Sequence, residues 1–315
     1  MLPMAPRTKS KTPSRLRVAA VQMKFAPTIS GNLAKIEAAL HTAARRGADA
    51  VLFPECATTG YAFDFNTLNP GRIRDALAHV GVLAARYRVN VLIGSPVFRG
   101  RALQNCLVVF DRYGRMTYQY AKCQLTEADR QFFKPGNAVA LFEVDGVPAT
   151  TIICHERRYP ELVRLAVMAG ARVLFHPNAG LDPLAVSRRK HGGRDGIAIR
   201  AFENAIYYVF ANSVGPQRAG KWSAGDSKIV APDGSTLRLA DNENESVIVA
   251  DLELARATGK YALETLSSPR FLAVYWKRLV ALVRRQSRES IRVVHTSRHS
   301  NSTALTERAG NRQRT

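Results

Sequence analysis

The sequence predicts an α/β fold built on a mixed sheet or sheets, within one large domain. Helical and strand-like apolar segments alternate along the chain, and clear turn signals insert hairpins between some strands. No linker-like gap interrupts residues 17–270.

The elements follow in order. RVAAVQM (17–23) is a short apolar strand. Leu33, Ile36, Leu40 and Ala43 then fall on one helical face, predicting a helix over about 32–46. Asn32 is its expected N-cap and Gly47 its stop. AVLFP (50–54) is a buried strand that ends at Glu55. A second helix is predicted over 72–88 and a third strand at NVLIGSPV (90–97). Two hairpins follow, the first around RYGR and the second around Asp145-Gly146, a strong two-residue turn signal. After Cys154 the helical period returns over 160–169, with Gly170 as its end. ARVLFHP, a helix at about 193–203 and IYYVFANS come next. Two or three more strands, with a turn at APDG (231–234), finish the body. A basic amphipathic segment around 271–284 suits a final helix.

Composition bounds the function classes. The 315 residues are 46% hydrophobic and 23% charged, ordinary for a globular chain with a substantial core. No apolar run approaches the roughly 18 residues a membrane helix needs. The N-terminus is basic without a following apolar segment, so a cytoplasmic location is expected. Eleven of the 21 net positive charges lie in residues 1–17 and 284–315, which predicts a disordered basic tail at 1–16 and a C-terminal extension, helix then basic tail, at 271–315. A basic nucleic-acid-binding protein is the competing reading of those tails. Neither zinc-finger spacing nor an RRM-like aromatic motif supports it. There is no GxGxxG or GxxxxGK(S/T) loop, so nucleotide binding has no support. None of Cys56, Cys106, Cys123 and Cys154 forms a CxxC pair, and free thiols are expected.

Three strand ends could do chemistry. Glu55 follows VLFP, Lys122 follows a strand in YAKCQL, and Cys154 ends TTIIC before HERRYPE. Strand ends place side chains accurately beside a crevice. Cys154 has His155, Arg157 and Arg158 beside it and a predicted helix after it, which favours a thiolate. Glu55 suits a general base with a pKa raised by burial, and Lys122 suits a fixed cation for an oxyanion. Each residue alone has a blander reading: a buried thiol, a capping carboxylate, a solvated lysine.

Taken together, LFPECATTGY, YAKCQLTEADRQFFKPG, IICHERRYPELVRLAVMAGARVLFHPNA, RAFENAIYYVFANSVG and AGDSKIVAPDGS resemble the nitrilase superfamily of carbon–nitrogen hydrolases, over roughly residues 16–255. The resemblance implies a four-layer α-β-β-α sandwich and a catalytic triad of Glu55, Lys122 and Cys154. It implies a further glutamate orienting the lysine, assigned to Glu127. It also implies a homodimer or larger homo-oligomer, with no metal or organic cofactor. The expected reaction is hydrolysis of a small amide or N-carbamoyl compound through a cysteine thioester; a nitrile substrate is the alternative. Tyr61, His155 and Asn178 are candidate substrate-binding residues beside the motif-bearing strand ends. Cys56 and Cys123 are expected to pack, Arg158 and Glu161 to brace the turn, and Glu203 and Asn204 to fix a helix end. The chain departs from the family pattern at His155, where an aromatic residue is usual. Glu156 stands where amidase-like members carry aspartate and nitrile-hydrolysing ones glutamate. Gln124 departs from the usual Lys-x-His-Leu.

Overall fold

The computed structural model of the chain describes residues 13–61, 64–190, 196–217 and 220–310; of Lys190 and of 291–310 it describes the backbone course alone. In chain order the first half runs β1 (Arg15–Gln22), α1 (Ile29–Arg45), β2 (Ala50–Leu52), α2 (Pro70–Tyr87), β3 (Asn90–Arg99), β4 (Ala102–Phe110), β5 (Met116–Ala121), α3 (Glu127–Arg130), β6 (Phe142–Val144) and β7 (Val147–Thr151). The second half runs α4 (Pro160–Met168), β8 (Val173–Asn178), β9 (Asp182–Pro183), α5 (Leu184–Lys190), α6 (Ala198–Phe202), β10 (Tyr207–Asn212), β11 (Val214–Pro216), β12 (Lys221–Ala224), β13 (Lys228–Val230), β14 (Thr236–Leu239), β15 (Ser246–Glu253), α7 (Lys260–Glu264) and α8 (Arg270–Gly310).

Two six-stranded mixed sheets result, ordered β15-β1-β2-β3-β4-β5 and β14-β13-β10-β8-β7-β6, with a small β11-β12-β9 sheet beside them. Strand alternation sorts the apolar side chains into layers. Leu16, Val18 and Ala20 of β1 meet Val173 and Phe175 of β8 and Tyr207 and Val209 of β10 in a core between the sheets. The opposite face of β1, Ala19 and Val21, packs with Ile36, Leu40 and Ala43 of α1 and Val80 of α2. On the far side, Leu174 and Tyr208 pack with Val163 and Val167 of α4 and Val280 and Val283 of α8. Helices, two sheets and helices again make the four-layer α-β-β-α sandwich. Each fully buried Leu, Val or Phe contributes about 1.5–3 kcal/mol of transfer free energy, which makes the layering strongly determined.

Local expectations differ from the structure in instructive places. Helix α1 starts earlier than predicted, because Thr28 caps it by accepting the Gly31 N–H at 3.0 Å. Asn32 lies within the helix instead, buried, and clamps Ala26 through both the N–H and the carbonyl. The Asp145-Gly146 turn has positive φ at both residues, 49° and 77°, as a type I′ hairpin requires. The helix predicted at 193–203 is reduced to α6, with 191–195 outside the described residues, and α5 was not foreseen because seven residues give too little periodicity. The final helix passes the predicted end at 284. Its buried stripe, Ala273, Val280 and Val283, continues to Ser287, whose hydroxyl donates to the Leu141 carbonyl. Residues 1–12 of the predicted N-terminal tail, and 311–315, lie outside the described residues, and β1 begins at Arg15, ahead of the boundary placed at 17. Among the described residues no helix is long and apolar enough to cross a membrane, and no group of three or more His, Cys, Asp or Glu is placed to hold a metal ion.

Candidate active site

Glu55 and Lys122 emerge from the carboxyl ends of β2 and β5 in one sheet; Cys154 and Asn178 sit at the ends of β7 and β8 in the other. Stacking the sheets brings the four together. Gly94 lets the Glu55 segment lie directly on β3: a Cβ there would sit 2.3 Å from the Pro54 carbonyl oxygen and 2.6 Å from the Glu55 Cα.

The Glu55 carboxylate is buried and fully engaged. Its Oε1 accepts Lys122 Nζ at 2.9 Å and Asn105 Nδ2 at 2.7 Å, and its Oε2 accepts the Ala179 N–H at 3.1 Å. Burial raises its pKa above the ordinary 4.5, against the lowering pull of Lys122. Lys122, 1% exposed, also lies 2.9 Å from Asp129 Oδ2. A buried ammonium costs several kcal/mol of desolvation, and two carboxylates offset it. Burial pushes the Lys122 pKa down, but Glu55, Cys154 and Asp129 more than reverse this and hold the lysine charged. Asp129 is in turn held by the Tyr61 hydroxyl, which donates to Oδ1, and by a capping box with Thr126. Burial acts to raise the Asp129 pKa, yet Lys122 and Tyr61 bring it below its ordinary value.

One assignment is corrected here. Glu127 is exposed at the start of α3 and makes no contact with Lys122; Asp129, two residues on, takes that position. The reason is the capping geometry: Thr126 turns the chain so that the third residue of α3 points inward and the first outward. Tyr61 lies outside the cavity lining, as Glu55 and Lys122 do, and reaches the cluster through Asp129. Asp129→Asn should lower kcat about 10²-fold, since a loosened Lys122 loses its aim; steady-state kinetics on a turned-over amide check this.

Cys154 is half-buried and adopts φ 49°, a strained left-handed backbone that turns its thiol out of the strand direction. The turn is held by its carbonyl, which accepts His176 Nε2–H at 3.1 Å, while His176 Nδ1 accepts the Tyr208 hydroxyl. Burial first, then the Glu55 carboxylate, push the thiol up to about 12, outweighing Lys122 and Arg157. Burial and Glu55 thus oppose the thiolate that the cations beside Cys154 favour. A short 3-10 turn, Cys154–Arg158, begins at the cysteine and separates it from α4, whose first residue is Pro160.

The cavity at Cys154 measures about 200 Å³ and is lined by His155, Arg157, Arg158 and Asn178 among others. A cavity of about 510 Å³ between β5 and α8 contains none of Glu55, Lys122 and Cys154; the smaller one is lined by Cys154, with Glu55 and Lys122 buried behind its lining. A family model for carbon-nitrogen hydrolases matches residues 17–260. The chain belongs to the carbon-nitrogen hydrolase family. Among its relatives this carbon-nitrogen hydrolase is 29% identical to a nitrilase of Pyrococcus abyssi over 76% of this chain and 90% of that one. It is 26% identical to an omega-amidase of Danio rerio over 76% and 89%. A variant of the Nesterenkonia AN1 amidase, from the nitrilase superfamily, superposes with a TM-score of 0.72 at 23% identity, covering 83% of this chain and 97% of that one.

The remaining candidates of this carbon-nitrogen hydrolase separate by position. His155 and Asn178 line the cavity; Asn178 donates through Nδ2 to Asn212 Oδ1 at 2.8 Å, and its buried Oδ1 has no partner. Arg157 and Arg158 line it too and have no carboxylate partner among the described residues, so Arg158 does not pair with Glu161. Cys56 donates to Asn105 and Cys123 to the Ala121 and Ala138 carbonyls, so both pack. Glu203 pairs with Arg200, and Asn204 donates to the Arg200 carbonyl, fixing the end of α6. Sequence reasoning missed Asn105, Asp129, His176 and Asn212. Only Asp129 left a local signal, as the capping-box partner of Thr126.

Proposed function

We propose that the chain hydrolyses the carbon–nitrogen bond of a small amide or N-carbamoyl compound through a thioester on Cys154. The observation that carries this reading is a buried lysine 2.9 Å from each of two carboxylates, at the strand end that stacks on the left-handed turn of Cys154 at the cavity. Moving the thiol proton to Glu55 leaves the cluster's net charge unchanged and shifts one negative charge past Lys122. The thiolate is therefore not stored: the proton leaves as the Cys154 Sγ–carbon bond forms. The carbonyl π electrons pass to oxygen, and Lys122 with the His155 backbone N–H stabilises that oxyanion. On collapse the carbon–nitrogen bond breaks, and protonated Glu55 gives its proton to the departing nitrogen. The free Asn178 Oδ1 accepts an N–H from that nitrogen. Glu55 then takes a proton from water as it attacks the thioester, and returns it to the Cys154 sulfur as the carboxylic acid leaves. Support by likeness comes from the Nesterenkonia amidase, one variant of which carries a covalent addition of the acetamide moiety of fluoroacetamide at its active-site cysteine.

Glu156 does not favour the nitrile alternative. Its carboxylate is buried, and both oxygens are taken up by the Tyr120 hydroxyl and the Cys123, Gln124 and Ile153 N–H groups, so it has none left for substrate. Arg157 and Arg158, which line the cavity and have no carboxylate partner among the described residues, favour a substrate with an anionic far end. The test is a panel of amides, N-carbamoyl compounds and nitriles, read by ammonia release and by an acyl adduct mapped to Cys154. Carboxylate-bearing amides should be preferred, and Arg157→Gln with Arg158→Gln should raise their KM about 10-fold while sparing uncharged amides. Turnover of nitriles alone would overturn the amide reading.

A further inference from the structure

Glu156 is a buried carboxylate two residues from the nucleophile that the mechanism does not use. It is 0% exposed, and no lysine or arginine pairs with it among the described residues. Four neutral donors satisfy it instead. Oε1 accepts the Tyr120 hydroxyl at 2.8 Å, the Cys123 N–H at 2.7 Å and the Gln124 N–H at 3.1 Å; Oε2 accepts the Ile153 N–H at 2.7 Å. Burial raises its pKa, and these hydrogen bonds oppose that.

The donors are not scattered. Cys123 and Gln124 directly follow Lys122, at the end of an edge strand of the first sheet. Ile153 directly precedes Cys154, just beyond the end of β7 of the second sheet. One side chain thus ties the backbone of the oxyanion-stabilising lysine to the backbone of the nucleophile, at the edge of the largely apolar core between the two sheets. Apolar packing is non-directional and tolerates small slides; charge-assisted hydrogen bonds with fixed directions do not. The bond to Ile153 also closes the strained turn at Cys154.

We infer that Glu156 is a positioning residue that holds Lys122 and Cys154 in register. It touches no substrate and acts through those two side chains. The inference rests on the proposed thioester chemistry, so its test includes a measurement that needs no substrate. Glu156→Gln keeps the volume but offers an N–H group where one acceptor oxygen stood. The expected result is a fall in kcat of about 10²-fold with KM within about 3-fold. Alkylation of Cys154 by iodoacetamide, mapped by mass spectrometry, should slow about 10-fold, as the thiolate loses its aligned cation. A purely structural glutamate would lower the melting temperature and leave both kcat per folded molecule and the alkylation rate unmoved; that result overturns the inference. Tyr120→Phe removes one donor and keeps the carboxylate, and should lower kcat a few-fold at constant KM. If Glu156→Gln fails to fold, Tyr120→Phe decides: an unchanged kcat and alkylation rate refute the positioning role. If the unaltered protein releases ammonia from no amide, the proposed function fails, and the alkylation rates still judge Glu156.

Discussion

Cys154→Ala should abolish turnover, by about 10⁵–10⁶-fold for a nucleophile acting within a coupled set, while the protein stays folded. The side chain is small and half-buried, and alanine keeps the β-carbon at φ 49° without adding strain. Removing the thiol also removes the group that Glu55 would deprotonate, so the variant should bind an amide without consuming it. Ammonia release, circular dichroism and intact mass after incubation with substrate check the three parts. Residual ammonia release at a tenth of the normal rate would remove Cys154 as the nucleophile.

Glu55→Gln should lower kcat about 10³–10⁴-fold. The substitution is tolerable to the fold because Lys122 keeps Asp129 as its partner, and the buried cluster becomes neutral instead of singly negative. The pH profile gives a sharper check. Glu55 must be deprotonated to accept the thiol proton, and burial has raised its pKa above 4.5. In the unaltered protein, kcat/KM should therefore fall as pH drops through that raised value, at a pH above the ordinary carboxylate range. The limb should vanish, together with most of the rate, in Glu55→Gln. An acid limb that persists in the variant would assign it to another group. Cys154, with its thiol near pH 12, gives no limb in the neutral range.

The contrast between Glu127 and Asp129 shows what a sequence can yield about a site. The segment LTEAD is legible as a helix start, and a carboxylate near the lysine is expected there. Which carboxylate turns inward depends on how Thr126 caps α3, a matter of one backbone turn. Cys154 carries a similar lesson. The cations beside it in sequence suggest a thiolate, but Glu55, a hundred residues away, is near enough to outweigh them along with burial. Neighbours in sequence are visible to a reader of the chain; neighbours across a sheet interface are not. Asn105 and His176 were missed for the same reason. Each sits inside an apolar strand and gains its role only by what lies opposite.

By itself the sequence determined the alternation of helices and strands, the Asp145-Gly146 hairpin, and the three strand ends that bear Glu55, Lys122 and Cys154. Those are local properties: periodicity, turn chemistry and residue type at a strand terminus. The tertiary structure decided which carboxylates hold Lys122, the groups that surround Cys154, and which backbone N–H groups Glu156 binds. Each depends on the stacking of two sheets, which sets distances and dielectric between groups far apart in the chain, and electrostatic energy is governed by those two quantities.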